Sequence, residues 1–235
     1  MQQFLQKPPI CHVQKEDVRA LDLIAEFGAE FERSKAEIEK ACDLASGLSD
    51  LIVILERPHF QQDYELNFEE FVQRCPTLRA VDDLIKFASK GSRSIHTVTI
   101  LDALSFSPNK NSTDPAPLRC FELLERIVNL KKPKVVLCCW SFTQKGSVLP
   151  FADSLTYSIM SQGVGTKPTY AEIKGGDSNM IAIKSFHPAT SVCYDLTSPY
   201  IRMLLIYHFI LAFVKLSGSH DEPYWVKTIC EGSRR

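Results

Sequence analysis

The run Leu51-Ile52-Val53-Ile54-Leu55, followed at once by Glu56-Arg57-Pro58, decides the fold of this chain. Consecutive branched apolar residues that stop at a charged, proline-bearing segment are typical of a β-strand buried on both faces. Strands of this kind occur in parallel sheets whose two faces are covered by helices. Further buried strands, separated by helices, are therefore expected along the chain.

Three more short segments have the same apolar, β-branched character and are predicted as strands. They are residues 96–101, 135–140 and 180–185. Apolar residues at helical spacing predict helices at 68–75, 78–89, 120–130 and 203–214 and helical structure within 16–48, with loops at 107–117 and 163–177. This alternation predicts an α/β fold: a three-layer α/β/α domain around a central, mainly parallel four-stranded sheet.

Length and composition are those of an ordinary globular protein. The 235 residues are 45% hydrophobic and 23% charged, which predicts a single domain over residues 16–235 after a flexible arm over residues 1–15. The formal net charge of −1 provides no global positive field, which argues mildly against tight nonspecific binding to DNA. A local basic cleft stays open as an alternative.

The cysteines indicate a reducing compartment. There are eight, with no CxxC pair, and Cys138-Cys139 lie in an apolar run where buried thiols are expected. With no secretory signal, the chain is expected to be intracellular, in the nucleus or cytoplasm, without a structural metal or cofactor. The most apolar stretch, residues 203–214, is too short to span a bilayer, so no membrane partner is expected.

Sheets of this class bind ligands beyond the carboxyl ends of their strands, so the segments that follow the strands are the candidate site. These segments are Glu56-Arg57-Pro58-His59-Phe60, Asp102-Ala103-Leu104-Ser105-Phe106, Ser141-Phe142-Thr143-Gln144-Lys145-Gly146 and His187-Pro188-Ala189-Thr190-Ser191. Each carries side chains able to bind or transfer a proton.

In this order, the four segments resemble the motifs of the uracil-DNA glycosylase superfamily. The family pattern has a Gln-Asp-Pro-Tyr turn after the first strand, Asn at the end of the second, Trp-Gly-x-Tyr-Ala-Gln-Lys-Lys after the third and His-Pro-Ser after the fourth. The closest matches are Trp140 with Phe142, Gln144, Lys145 and Gly146, then His187-Pro188, then Tyr207-His208-Phe209 with Gly218, Pro223 and Trp225. The resemblance covers roughly residues 51–225.

The resemblance implies a uracil-DNA glycosylase-like fold and an enzyme that flips a nucleotide out of the helix and hydrolyses the bond from sugar to base. His187 is then the electrophile, a neutral imidazole that donates a hydrogen bond to the carbonyl oxygen where negative charge develops. The alternative is a strand-end histidine that only satisfies backbone groups.

The first motif departs from the family pattern. Glu56 stands at the Gln position, Arg57 at the water-activating Asp, and His59 at the Tyr that limits the size of the pocket. Arg57 cannot act as a general base, because a guanidinium stays protonated in proteins. Either Glu56 serves as the base or the water activation is missing, and a structural salt bridge is the other role open to Arg57.

Asp102 replaces the Asn that reads the edge of the base. An ionised Asp offers only acceptors, which favours a base with an exocyclic amine over uracil. Alternatively, Asp102 activates water or stabilises the cationic sugar, or it caps the following loop.

The remaining candidates bind substrate. Ser191 stands where the family places an apolar wedge, which puts invasion of duplex DNA in doubt and favours a single strand. Phe60 and Phe106 stack on a base or belong to the core. The predicted binding set is Arg57, Pro58, His59, Phe60, Phe106, Ser141, Gln144, Lys145, Pro188, Thr190 and Ser191.

The leading hypothesis is therefore a divergent DNA glycosylase that acts through His187 with Glu56 or Asp102 and needs no cofactor. The second is a catalytically inactive nucleic-acid- or protein-binding module on the same fold. A third is a hydrolase of a small nucleoside or other metabolite, since a fold does not fix a function.

Overall fold

The computed structural model describes residues 15–59, 61–106, 114–139, 170–175, 178–189 and 199–218. Five strands form one sheet in the order β2-β1-β3-β5-β4. They are β1 (Leu48–Leu55), β2 (Val98–Asp102), β3 (Val135–Cys138), β4 (Tyr170–Gly175) and β5 (Ser178–Lys184). Strands β2, β1, β3 and β5 are parallel neighbours, and β4 pairs antiparallel with β5 at one edge. The predicted parallel four-stranded sheet is confirmed, with an antiparallel strand added.

Six helices cover the sheet within the described ranges. They are α1 (Lys15–Glu30), α2 (Lys35–Ala45), α3 (Phe68–Arg74), α4 (Pro76–Ala88), α5 (Pro117–Lys131) and α6 (Pro199–Leu216). All the helical segments predicted from the sequence are confirmed, with ends displaced by a few residues. None of these helices is long and apolar enough to cross a membrane.

The sheet lies between two apolar layers. Alternate residues of β1 divide between them: Val53 packs with α3, α4 and α6, whereas Ile52 and Ile54 pack with α1 and α5. Every residue from Leu51 to Leu55 is buried. The run is apolar at every position because helices cover both faces of the strand. The sheet with a layer of helices on each face is the predicted three-layer arrangement.

Local sequence signals set the helix ends. The side chains of Ser34 and Asn67 cap α2 and α3 by accepting hydrogen bonds from backbone amides in the first helical turn. Prolines 76 and 117 begin α4 and α5, where their missing amide hydrogen costs nothing. The predicted loop at 107–117 therefore ends one residue early, because Pro117 starts a helix.

The prediction of a loop over residues 163–177 is wrong where β4 lies. Tyr170 to Gly175 pair with the antiparallel β5, from Tyr170↔Ile183 to Gly175↔Ser178. The segment Tyr170–Gly175 is an edge strand of the sheet, and its sequence alternates apolar and charged residues. Glycines on either side of it in the sequence had favoured the loop interpretation.

The carboxyl ends of the parallel strands meet along one edge of the sheet. The ladder continues past the strands through hydrogen bonds from Ala103 N to Leu55 O (2.9 Å), Cys139 N to Ile54 O (2.8 Å) and Ser185 N to Cys138 O (2.7 Å). The chain passes from β1 to β2 on one side and returns to β3 on the other. A sheet opens a crevice for ligands at such a reversal of strand order.

Candidate functional site

A cavity of about 360 Å³ lies at the carboxyl ends of the parallel strands. Three of the four strand-end segments contribute to it. From these segments the lining residues are Glu56, Arg57, Pro58, His59, Asp102, Ser105, Phe106, His187 and Ala189. The volume is in the range of sites that hold small organic ligands, so the structure brings most of the described candidate residues to one cavity.

Apolar side chains of the sheet and of α1, α3, α4 and α5, together with one face of α2, complete the wall. Leu55, Leu78 and Ile100 line the cavity from the sheet and α4. The helix face is on α2 and consists of Glu37, Lys40, Ala41 and Leu44. Sequence reasoning missed this face: its spacing of three and four residues indicated only an amphipathic helix, and nothing in the sequence related α2 to the strand ends.

His187 is half-buried and lines the cavity. The backbone amide of Ala189 donates to its Nδ1 over 3.3 Å. Burial lowers the pKa of His187, while the Glu56 carboxylate acts in the opposite direction. The imidazole is therefore neutral at physiological pH, and because Nδ1 accepts a hydrogen bond, its proton is on Nε2. His187 thus offers one N–H donor.

Asp102 is the last residue of β2 and faces the same cavity. Burial, and then the nearby Glu56 carboxylate, raise its pKa to about 7. No described residue donates a hydrogen bond to the Asp102 carboxyl group. The expectation that Asp102 is simply ionised is therefore corrected, because at neutral pH it exists in both forms, and the neutral acid both donates and accepts a hydrogen bond.

Glu56 connects the two groups electrostatically. Its carboxylate acts on the pKa of both Asp102 and His187. A hydrogen bond from Leu104 N to Glu56 O, 2.8 Å long, holds its backbone beside the segment after β2. Two carboxyl groups and a neutral imidazole are therefore neighbours in one cavity. Among the described residues no group of three or more His, Cys, Asp or Glu side chains is arranged to hold a metal ion.

Arg57 and His59 lie at the mouth of the cavity and are exposed. Arg57 forms no ion pair with any described residue, so the alternative of a structural salt bridge is not seen there. Burial raises the pKa of the Cys120 thiol, and Arg57 is among the groups that oppose this rise. Nδ1 of His59 accepts a hydrogen bond from Gln61 N over 3.2 Å, and Pro58 lies between the two exposed residues.

Phe106 is buried but also lines the cavity. Its ring stacks on Phe27 at 6.3 Å, and the guanidinium of Arg33 lies 5.8 Å from its centroid. Its backbone φ of 149° is unusual for a residue with a side chain, and such conformations cost about 1–3 kcal/mol. Phe106 therefore belongs to the core and also forms a wall of the cavity, and its stacking on a base stays a prediction.

Of the remaining candidate residues, Pro188 is described and buried, and several others lie outside the described part of the chain. The candidates outside the described residues are Phe60, Trp140, Ser141, Phe142, Gln144, Lys145, Gly146, Thr190, Ser191, Pro223 and Trp225. The stacking role of Phe60, the substrate-binding roles of Ser141, Gln144 and Lys145, and the replacement of the wedge by Ser191 stay predictions.

The fold and the cavity define a class of α/β protein with an ionisable site at the reversal point of a parallel sheet. No protein-family model matches the chain, and no curated protein matches it. The resemblance to the uracil-DNA glycosylase superfamily therefore rests on the motifs alone.

Proposed function

We propose that this protein is a divergent DNA glycosylase, similar to uracil-DNA glycosylases, that binds a flipped-out base in the cavity and hydrolyses its N-glycosidic bond. The observation that supports this function best is the grouping of His187, Asp102 and Glu56 at one cavity, with His187 neutral. N-glycosidic hydrolysis requires a donor for the departing base and an acceptor for the proton of water, and the three groups provide both.

The proposed reaction begins as the bond between C1′ of the sugar and the base nitrogen lengthens. The bonding electrons leave with the base, and negative charge develops on its carbonyl oxygen. Nε2–H of His187 donates a hydrogen bond to that oxygen and stabilises the charge. The sugar becomes cation-like, and a neighbouring carboxylate lowers the energy of such a state.

Water then adds to C1′. Arg57 occupies the position of the family's water-activating residue but cannot accept a proton. Glu56, the carboxylate one residue before it, is therefore the acceptor for the proton of that water. The departing base takes up a proton from solvent, and the sugar retains a hydroxyl at C1′. Asp102 in its neutral form holds the edge of the base by donating one hydrogen bond and accepting another.

A neutral Asp102 changes the expected substrate. An ionised Asp102 would disfavour uracil, whose edge presents an acceptor beside a donor. A protonated carboxyl group matches that edge, so the proposed site accepts uracil as well as bases with an exocyclic amine. This makes uracil the appropriate first substrate.

A catalytically inactive binding module on the same fold is the second candidate. The specific observation that favours it is Arg57, exposed and without an ion pair to a described residue, at the position where the family pattern has a water-activating carboxylate. Such a module would bind a base or a strand without releasing the base.

The two candidates are separated by measuring base release and binding together. Uracil-bearing single-stranded and double-stranded oligonucleotides and free deoxyuridine are incubated with wild type, Glu56→Gln and the surface control Glu26→Gln. A glycosylase releases uracil from an oligonucleotide, and Glu56→Gln slows release by about 10²-fold or more while Glu26→Gln does not. Binding of an oligonucleotide without release favours the module, and release from deoxyuridine alone favours a nucleoside hydrolase.

A further inference from the structure

Three buried polar side chains form a cluster outside the cavity. They are Cys139, Ser185 and His208, exposed by 0%, 1% and 1%. Oγ of Ser185 lies 3.0 Å from Nδ1 of His208, and the Ser185 side chain is among the groups that oppose the rise in the pKa of the Cys139 thiol caused by burial. None of the three lines the cavity, so the proposed reaction leaves them without a role.

This cluster brings together residues from three elements of the fold. Cys139 follows β3, Ser185 follows β5, and His208 lies in the middle of α6. The backbone of Ser185 is also fixed, since its amide donates to Cys138 O over 2.7 Å. The next residue, Phe186, stacks its ring on the His208 imidazole at 6.0 Å. Both residues that precede His187 are therefore held by His208.

Burial determines the protonation states of His208 and Cys139. Burial lowers the pKa of His208 to about 4, so its imidazole is neutral at physiological pH. Burial also raises the pKa of Cys139, which keeps the proton on the thiol. The Ser185 hydroxyl can then donate to Nδ1 of His208. A buried hydrogen bond of this kind holds Ser185 and His208 in one geometry.

We infer that His208 is a positioning residue for His187, acting through Ser185 and Phe186 to fix the backbone that places the His187 imidazole in the cavity. Only Phe186 separates Ser185 from His187, and the hydrogen bond from the Ala189 amide to Nδ1 of His187 orients the ring from the other side. A displacement of about 1 Å in a reacting group costs about 10²-fold in rate. The consequence for rate rests on the proposed function, whereas the consequence for the state of His187 does not.

The test compares variants that remove the contact between Ser185 and His208 with a variant that preserves it. Ser185→Ala removes the central hydroxyl, and His208→Leu removes both the acceptor and the ring. His208→Asn keeps an acceptor, Oδ1, at the position of Nδ1. The pKa of His187 and the amide resonance of Ala189 are followed by NMR, and kcat and KM for uracil release are measured in parallel.

We expect Ser185→Ala and His208→Leu to move the pKa of His187 toward its ordinary value and to shift the Ala189 resonance. We expect kcat to fall about 10- to 100-fold in these variants with KM changed less than about twofold. His208→Asn should restore the titration of His187 and most of kcat. The control Leu211→Ala, a buried change on the same helix, should lower thermal stability without moving the His187 signals.

The positioning role is overturned if Ser185→Ala lowers the melting temperature while the His187 titration and the Ala189 resonance stay as in wild type. Ser185→Ala removes a single oxygen, so it provides this outcome even if His208→Leu does not fold. Absence of uracil release by wild type, together with a shifted His187 titration in Ser185→Ala, would overturn the proposed function and leave the positioning role standing.

Discussion

The backbone amide of Ala189 donates to Nδ1 of His187, two residues before it, over 3.3 Å. This short-range bond determines the tautomer of the imidazole, because a nitrogen that accepts a hydrogen bond carries no proton. Burial lowers the pKa of His187 and keeps the ring neutral. A neutral ring with its proton on Nε2 is an uncharged donor, which is the state that stabilisation of a departing base requires.

Ionisation of Asp102 should cost folding free energy as the pH rises. The folded-state pKa is about 7 and the ordinary value is 3.8, so between these pH values the folded protein binds more protons than the unfolded chain. Stability contributed by this group is thus lost as the pH rises toward 7. Asp102→Asn should raise the melting temperature by a few degrees at pH 8 and less at pH 4, as measured by calorimetry. An effect that does not depend on pH would contradict the raised pKa.

His208 should make the protein sensitive to acid in a defined window. Its folded-state pKa is about 4, against an ordinary value of 6.5, so the unfolded chain binds a proton first as the pH falls. Between pH 6.5 and pH 4 this costs on the order of 3 kcal/mol of folding free energy. Urea denaturation at each pH should show this loss in wild type and not in His208→Asn. Parallel pH profiles for the two proteins would show that His208 does not titrate this way.

The buried ion pair between Lys131 and Asp17 should be sensitive to removal of one partner. Nζ of Lys131 lies 2.7 Å from Oδ1 of Asp17, with the lysine side chain fully buried. Lys131→Met leaves the Asp17 carboxylate buried without its cation and should cost about 3–5 kcal/mol. Lys35→Met, which removes an exposed lysine of α2, should change stability by less than about 1 kcal/mol. Denaturant unfolding of both variants checks this, and equal losses would contradict it.

Gly47 should tolerate no side chain. A Cβ atom there would lie 2.2 Å from the carbonyl carbon of Val98 and 2.5 Å from the amide of Thr99, both in the backbone of β2. Gly47→Ala must therefore displace the edge strand and should cost about 3 kcal/mol. Gly91→Ala is the comparison, since Gly91 has a φ of +79° with nothing within 4 Å, and only its left-handed backbone opposes alanine, at about 1–2 kcal/mol. A smaller loss for Gly47→Ala than for Gly91→Ala would contradict the close approach.

The sequence was informative where burial requires a particular residue type. Strands β1, β3 and β5 were predicted because their residues are apolar on both faces, and a covered parallel sheet needs such runs. Since parallel strands end on the same edge, the sequence also predicted that Glu56, Asp102 and His187 would lie close together. These three residues line one cavity because of the order of the strands in the sheet, and not because of their residue types.

Other features depended on contacts between distant segments. Strand β4 is an edge strand with a charged, alternating pattern, and only its pairing with β5 distinguishes it from a loop. The face of α2 that carries Glu37 and Lys40 meets the strand ends through helix packing, which periodicity does not reveal. The protonation of Asp102 depends on burial and on Glu56 together, so residue type alone suggested an ionised group. His208 was noted only as part of a tail motif, and its bond to Ser185 spans 23 residues.

The most direct test of the central claim is release of uracil from a single-stranded oligonucleotide under single-turnover conditions, with wild type and His187→Ala compared at pH 7.5. Cleavage of the abasic product by alkali reports each event. We expect release by wild type and a loss of about 10²- to 10³-fold in His187→Ala with the fold intact. No release by folded wild type at high concentration, or equal rates for the two proteins, would contradict an N-glycosidic hydrolase that acts through His187.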